Sequence, residues 1–178
     1  MPNGNLELIS ITALSALLML AIWHDWRIRK IPNTVLLWGV LTALILALTP
    51  RGIGLMSALM GGLTGFLVFL LLYVFKMVGA GDVKLIATVG LFVGWPATVE
   101  ICVAILLAGG CLALAWGLYT QNLIIVLNNL RAGLTELIHA GRWPSPGRPL
   151  ISRVSSERIP YALAVGLGTA AFYVTRTT

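Results

Sequence analysis

Charged residues are scarce in this chain of 178 residues, at 10% of the total against 58% hydrophobic residues. An average soluble domain has about 25% charged and about 45–50% apolar residues, so this chain lacks the polar surface that would cover a core in water. The composition excludes a soluble globular domain, a disordered chain, a collagen-like repeat and a disulfide-rich scaffold. The mean hydropathy of +0.95 instead favours an all-α, polytopic protein of the lipid bilayer.

Cysteine is nearly absent, and no CxxC pair occurs, so a zinc site has no support. Cys102 and Cys111 fall in one apolar run and are predicted to be buried thiols that pack between helices. The net charge of +6 does not indicate nucleic acid, because the cations lie between apolar runs rather than on one polar surface. We therefore expect no metal, no cofactor and no nucleic-acid partner.

Six apolar segments are long enough to cross, or nearly cross, a bilayer, and they predict a bundle of about six transmembrane helices in a single domain, 1–178. They are Leu6–Trp23, Pro32–Thr49, Ile53–Phe75, Val83–Trp95, Ala97–Tyr119 and Pro160–Thr175. A spanning helix needs about 20 residues, so the short fourth and sixth segments either thin the bilayer or are sheltered inside the bundle, and shelter is what a water-reachable site would require. Pro32 and Pro160 fit the first helical position, where a missing N–H costs nothing.

The cations predict the orientation of the bundle. No basic residue precedes the first apolar run, so that run is interpreted as a retained helix with its amino terminus outside. Ten of the 12 Lys and Arg residues then fall on the cytoplasmic side, in agreement with the positive-inside rule. The connection 121–159 becomes a cytoplasmic loop, and leucines spaced by three and four over 123–137 predict an amphipathic helix along the membrane surface.

Asp25 and Asp82 are the only aspartates in the chain, and both lie at the predicted cytoplasmic ends of helices. Ionisable groups at membrane depth are costly and usually functional. Two neighbouring carboxyl groups share a proton, so that one can activate water while the other protonates a carbonyl oxygen, which is acid–base hydrolysis of an amide. Alternatively, each aspartate pairs with nearby cations: Asp25 with Arg27 and Arg29, and Asp82 with Lys84.

Two glycines precede the second aspartate, in the sequence Gly79-Ala80-Gly81-Asp82. Glycines before a helix permit an unwound backbone that another chain can approach closely. In a membrane, such backbone survives only inside protein or beside a water-filled cavity. We therefore expect the stretch from Gly79 to Gly81 to be unwound, so that a substrate peptide can pair with it by strand addition.

Three polar residues near the aspartates each have two interpretations. Lys84 either lowers the pKa of Asp82 or attracts anionic lipid headgroups. Asn33 either hydrogen-bonds near the site or caps its helix. His24 either tunes the proton of Asp25 or lies at the membrane interface beside its neighbouring tryptophan. Separately, the glycines at 61 and 65 form a small-xxx-small pattern that predicts close helix packing.

Three stretches of the chain resemble the type IV prepilin peptidases, which are membrane aspartic endopeptidases of the GxGD type. DWRIRKIPN at 25–33 is similar to the family's aspartate, basic stretch and Ile-Pro-Asn. GAGDVKL at 79–85, followed by Gly90 and Gly94, is similar to its GxGD block. RIPYA at 158–162 resembles the Ile-Pro-Tyr start of its last helix. Together the three stretches follow the family's order along nearly the whole chain.

The resemblance implies a catalytic pair, Asp25 and Asp82, within a site shaped by Gly79, Gly81, Lys84, Pro32 and Asn33. It also implies that the chain removes the basic leader from prepilins and pseudopilins at the cytoplasmic face of a bacterial inner membrane. Without a CxxC segment, the chain resembles the short, peptidase-only form of Flp-type (tight-adherence) pilus systems, so no N-methyltransferase activity is expected. Two alternatives from other classes are a small proton-coupled transporter, for which no internal repeat is evident, and a non-catalytic secretion-system subunit.

Overall fold

The computed structural model describes residues 4–28, 30–50, 52–74, 78–119 and 161–177. Within these ranges the chain forms six α-helices: α1 (Gly4–Ile28), α2 (Asn33–Leu48), α3 (Leu55–Val74), α4 (Ala80–Val93), α5 (Ala97–Tyr119) and α6 (Tyr161–Thr177). The predicted all-α class is confirmed, and each predicted segment overlaps one helix. The amphipathic helix predicted within 121–159 lies outside the described residues.

Among the described residues, three helices are long and apolar enough to cross a membrane, through the spans Leu6–Ile28, Leu55–Val74 and Ala97–Ala115. α2 is also apolar but has 16 residues. α4 has 14 residues, fewer than the range of about 17–25 that is typical of a spanning helix. The composition of the chain and these three helices are therefore those of a membrane protein.

The start of α2 differs from the prediction by one residue. Pro32 is not the first helical residue but the N-cap, with φ −63° and ψ 133°, and α2 begins at Asn33. The carbonyl oxygen of Pro32 accepts a hydrogen bond from the N–H of Val35 at 3.1 Å. An N-cap residue joins the helix through its carbonyl group, so the missing N–H of proline is not needed here. Pro160, the other predicted first residue, lies outside the described residues.

α4 is the centre of the bundle, since it contacts each of the other five described helices. Half of its residues are buried, namely Val83, Leu85, Ile86, Thr88, Val89, Gly90 and Phe92. A helix surrounded by protein need not match the thickness of the bilayer. The prediction that the short fourth segment is sheltered inside the bundle is confirmed.

Glycines bring the backbones of α3 and α4 into contact. A Cβ atom at Gly61 would lie 2.8 Å from Cα of Gly94, and one at Gly65 would lie 3.0 Å from the carbonyl oxygen of Ile86. Close packing leaves no free volume for these added atoms. The predicted packing role of Gly61 and Gly65 is confirmed, and it seats α4 firmly against α3.

Contacts between helix ends define two ends of the bundle. At the aspartate end, Asp25 near the end of α1 meets the first turn of α6. At the opposite end, the N–H of Trp95 after α4 donates to the carbonyl oxygen of Ser57 near the start of α3, at 3.0 Å. There Arg176, near the end of α6, also forms an ion pair with Glu100 near the start of α5, at 3.5 Å. The described helices therefore alternate in direction along the bundle.

The two cysteines of α5 differ in their surroundings. Cys102 is buried, as predicted, but Cys111 is exposed. The prediction that Cys111 is a buried packing thiol is therefore wrong. The reason is geometric, because nine residues along an α-helix correspond to about 2.5 turns and place the two side chains on opposite faces.

Candidate active site

Asp25 lies one turn before the end of α1, and its side chain is half-buried. Its Oδ2 accepts a hydrogen bond from the backbone N–H of Ala162, in the first turn of α6, at 3.2 Å. The first N–H groups of a helix have no acceptor within that helix, and they form the positive end of its dipole. The start of α6 therefore offers both a donor and a favourable field to the Asp25 carboxylate.

Asp82 is the third residue of α4 and precedes the apolar segment that begins at Val83. Its Oδ2 accepts a hydrogen bond from the N–H of Gly79 at 3.0 Å. Its own backbone N–H donates to the carbonyl oxygen of Gly79 at 3.1 Å. The side chain thus satisfies a free donor at the start of the helix, which is the acidic half of a capping box. This local folding fixes the position of the half-buried Asp82 carboxyl group.

The unwound stretch predicted before Asp82 is limited to its first residue. Gly79 is extended, with φ −83° and ψ 155°, whereas Ala80 and Gly81 belong to the first turn of α4. The prediction for Gly81 is wrong because the cap formed by Asp82 starts the helix one turn earlier. Within the predicted stretch 79–81, Gly79 is the one extended residue, which is shorter than the strand edge that strand addition needs. Gly81 instead faces Ile31, where an added Cβ would lie 3.6 Å from the Ile31 Cβ.

The two aspartates lie at the same end of the bundle, near enough for the charge of one to act on the other. The pKa of Asp82 is raised from 3.8 to about 6: burial raises it most, the hydrogen bond from Gly79 lowers it, and the negative charge of Asp25 raises it. A carboxyl group with such a pKa keeps its proton in mildly acidic water. Beside an ionised partner, it can act as the acid of an acid–base pair.

The residues that flank Asp25 on α1 have other partners. The guanidinium carbon of Arg27 lies 5.9 Å from the centroid of the Trp23 ring. Nδ1 of His24 donates to the carbonyl oxygen of Leu20 at 2.9 Å. Arg29, another cation considered as a partner, lies outside the described residues. Within the described residues, the ion pair between Arg27 and Asp25 is therefore not observed.

Lys84 bonds to α2 rather than to Asp82. Its Nζ donates to Oδ1 of Asn33 at 3.0 Å, and residues two apart on a helix do not face each other. α2 has no side-chain cap, so Asn33 does not cap its helix but accepts a hydrogen bond from Lys84 instead. The pair lines a mainly apolar groove of about 450 Å³ between α2, α3 and α4, together with residues such as Leu37, Val40, Phe66 and Leu91.

The first turn of α6 belongs to the site, although the sequence assigns no site residue there. Ala162 acts through its backbone N–H, a group that every residue except proline carries. Tyr161 lies near enough for the charge of Asp82 to act on its phenol group. The Ile-Pro-Tyr resemblance at 158–162 is the one sequence signal that points to this turn.

Comparison with known proteins identifies a family but no individual relative. The model of the type IV leader peptidase family matches residues 12–118, which is more than half of the chain. The matched range contains Asp25, Asn33 and the stretch 79–84, and it ends before α6. No curated protein and no solved structure matches the chain.

Proposed function

This chain belongs to the type IV leader peptidase family, and we propose that it is a membrane aspartic endopeptidase with Asp25 and Asp82 as its catalytic pair. Family membership makes it a peptidase with prepilin-type substrates. The observation that supports the catalytic pair is that two half-buried carboxyl groups, from α1 and α4, lie at one end of the bundle, near enough for the charge of Asp25 to act on Asp82.

In the proposed mechanism, Asp82 holds the shared proton and Asp25 is ionised. The raised pKa of Asp82 and the N–H that Ala162 donates to Asp25 support this assignment. Asp25 takes a proton from water while the water oxygen attacks the carbonyl carbon, and Asp82 protonates the carbonyl oxygen. The intermediate then collapses: Asp25 gives its proton to the leaving amine nitrogen, and a hydroxyl group of the intermediate returns a proton to Asp82.

The proposed substrate is a type IV (Flp-type) prepilin or pseudopilin, with a basic leader followed by an apolar helix. Such a helix can enter the bilayer beside the bundle, so enzyme and substrate meet in two dimensions. The peptide at the cut must be extended, because the amides of a helix are already hydrogen-bonded within it.

The proposed setting is a bacterial inner membrane, crossed about six times by a single domain, 1–178, with the amino terminus outside. The aspartate end then faces the cytoplasm. The described cations support this orientation, since Arg27, Lys30 and Lys84 lie at or near the aspartate end, while Arg176 lies at the opposite end. A proton-coupled transporter would instead be expected to carry its acids near the middle of the membrane.

Coexpression of the chain with a Flp-type prepilin tests the proposal, with leader removal followed on a gel. Asp25→Asn and Asp82→Asn should each abolish cleavage while the protein still reaches the membrane fraction. Glu100→Gln is the matched control, because it neutralises a carboxylate at the opposite end of the bundle, and it should leave cleavage intact. Normal cleavage by either aspartate variant would disprove the catalytic pair.

A further inference from the structure

Tyr161, the first residue of α6, places its ring in a slot between two other helices. The ring meets Phe69 of α3 edge-on, with centroids 6.4 Å apart and an interplanar angle of 63°. On α5, a Cβ at Gly109 would lie 3.3 Å from both Cε2 and the hydroxyl oxygen of Tyr161. Phe69 is fully buried. The missing side chain of Gly109 therefore leaves the space that the tyrosine ring occupies.

The ring is linked to the site through one rigid peptide unit. The N–H that holds Asp25 belongs to the peptide between Tyr161 and Ala162. A peptide unit is planar and contains the Cα atoms on both sides, so the place of the Tyr161 Cα helps to set the direction of this N–H. Ala162 is itself fully buried, which leaves the unit little freedom to turn.

We infer that Tyr161 is a positioning residue for Asp25: its ring, seated between Phe69 and Gly109, orients the following peptide N–H toward the Asp25 carboxylate. This inference rests on the proposed catalytic pair. It assigns the role to the shape of the ring rather than to the hydroxyl group. α6 has a separate anchor further along, since a Cβ at Gly168 would lie 2.6 Å from Cα of Ile105. Loss of the ring should therefore loosen the first turn without detaching the helix.

Among the described residues, few charged groups are placed to replace this N–H. Asp82 on α4 holds the proton in the active form and, once ionised, has a charge of the same sign as that of Asp25. On α1 itself, His24 bonds to a backbone carbonyl, and Arg27 lies over a tryptophan ring. A weaker hydrogen bond from Ala162 should therefore disfavour the singly ionised form of the aspartate pair, on which the proposed reaction depends, and raise the pH at which the enzyme becomes active.

The test compares pH–rate profiles of the purified full-length chain in lipid vesicles, with a Flp-type prepilin as substrate. Tyr161→Ala should lower kcat at least about ten-fold and move the acid limb of the profile up by about one pH unit. Gly109→Ala narrows the slot but leaves the tyrosine in place, and it should cause a smaller shift in the same direction. Tyr161→Phe keeps the ring and should restore most of the rate and the original acid limb.

The outcomes separate a positioning role from the alternatives. Partial unfolding scales the rate equally at every pH, so a lower rate with an unmoved acid limb would overturn the inference. A loss in Tyr161→Phe as large as that in Tyr161→Ala would also overturn it, because the hydroxyl group would then be the active part. If Tyr161→Ala does not insert, Gly109→Ala decides, and an unmoved acid limb there counts against the inference.

The aspartate variants distinguish this inference from the proposed function. Cleavage retained by Asp25→Asn or Asp82→Asn would remove the catalytic pair itself. If those variants are inactive while Tyr161→Ala keeps the profile of the unchanged protein, only the positioning role fails.

Discussion

Replacement of Gly79 by proline would remove one hydrogen bond from Asp82 and leave the helix start in place. The N–H of Gly79 is the donor to Oδ2 of Asp82, and proline has no N–H. The backbone at Gly79, with φ −83° and ψ 155°, is close to what proline adopts. Pro32 already holds the equivalent N-cap position before α2, with φ −63° and ψ 133°.

Gly79→Ala is the matched control for the proline variant. Both replacements add a Cβ atom, which would lie 3.0 Å from Oδ2 of Asp82. The steric effect of the Cβ atom is therefore common to the two variants, but the proline ring also places Cδ where the amide hydrogen pointed at Oδ2. Only the proline variant lacks the donor, so the difference between them reports the loss of the hydrogen bond together with the displacement of the carboxyl group by Cδ.

The expected shift follows from the strength of that bond. A hydrogen bond to a charged group contributes about 1.5–3 kcal/mol, and one pH unit corresponds to about 1.4 kcal/mol. Loss of the Gly79 donor should therefore raise the pKa of Asp82 from about 6 by one to two units, to about 7–8. Solvent access to the half-buried carboxyl group favours the lower end of this range.

Carbon-13 NMR can follow this titration directly, because Asp25 and Asp82 are the only aspartates in the chain. Protein labelled at the aspartate carboxyl carbon should give two signals in micelles, and Asp25→Asn assigns the one that remains. The Asp82 signal should titrate near pH 6 in the unchanged protein and in Gly79→Ala, and one to two units higher in Gly79→Pro.

Four results would bear on the electrostatic account of the site. Coinciding titrations of Gly79→Pro and Gly79→Ala would refute it, as would a downward shift in the proline variant. Lys84→Met should leave the midpoint of Asp82 unchanged, since Nζ of Lys84 donates to Asn33. Because the two carboxyl groups are coupled, the midpoints are properties of the pair, and Asp25→Asn should lower that of Asp82.

Two predictions concern stability, measured by unfolding in mixed micelles. The pKa of Asp82 in the folded state, about 6, lies above its ordinary value of 3.8, so ionisation of Asp82 lowers the stability of the folded state. This loss of stability is absent below about pH 4 and complete above about pH 6. Asp82→Asn should therefore be more stable than the unchanged protein at pH 8, by up to about 3 kcal/mol, and about as stable at pH 4. If the variant and the unchanged protein were equally stable at both pH 4 and pH 8, the result would contradict this reasoning. Gly61→Ala should lose about 1–3 kcal/mol because its Cβ meets the backbone of Gly94. At Gly110 an added Cβ would have no atom within 4 Å, so Gly110→Ala should gain up to about 1 kcal/mol of stability. A Gly110→Ala variant less stable than Gly61→Ala would contradict the packing argument.

The helices and the catalytic candidates were predictable because their signals are local and large. Long apolar runs identify helices by their composition. Carboxylates are scarce in this chain, so the two aspartates that lie at the ends of such runs are easily recognised as candidates. The shelter of α4 was also predictable, since a short segment with polar residues needs protein around it. Glycines 61 and 65 predicted close helix packing, through a spacing that exposes backbone on one face, but not that α4 is the partner.

The remaining features depend on groups that residue types do not reveal. The N–H of Ala162 is a backbone donor like any other, and its meeting with Asp25 depends on tertiary structure. Gly81 has the low helix propensity that suggested unwinding, yet the Asp82 side chain caps the helix and outweighs that preference. Cys111 shares an apolar run with Cys102 but faces outward, since hydropathy alone does not show which face of a uniformly apolar helix is buried.

The glycine contact between α3 and α4 has a consequence for how the protein enters the bilayer during synthesis. In the six-span arrangement, α4 carries Asp82 and Lys84 within its first five residues and is only 14 residues long. A segment of this kind is a poor candidate for independent insertion. α3 is long and apolar, and its buried glycines accept the α4 backbone at close range. The two helices are thus suited to insert together as a hairpin, with the preceding helix carrying α4 into the lipid.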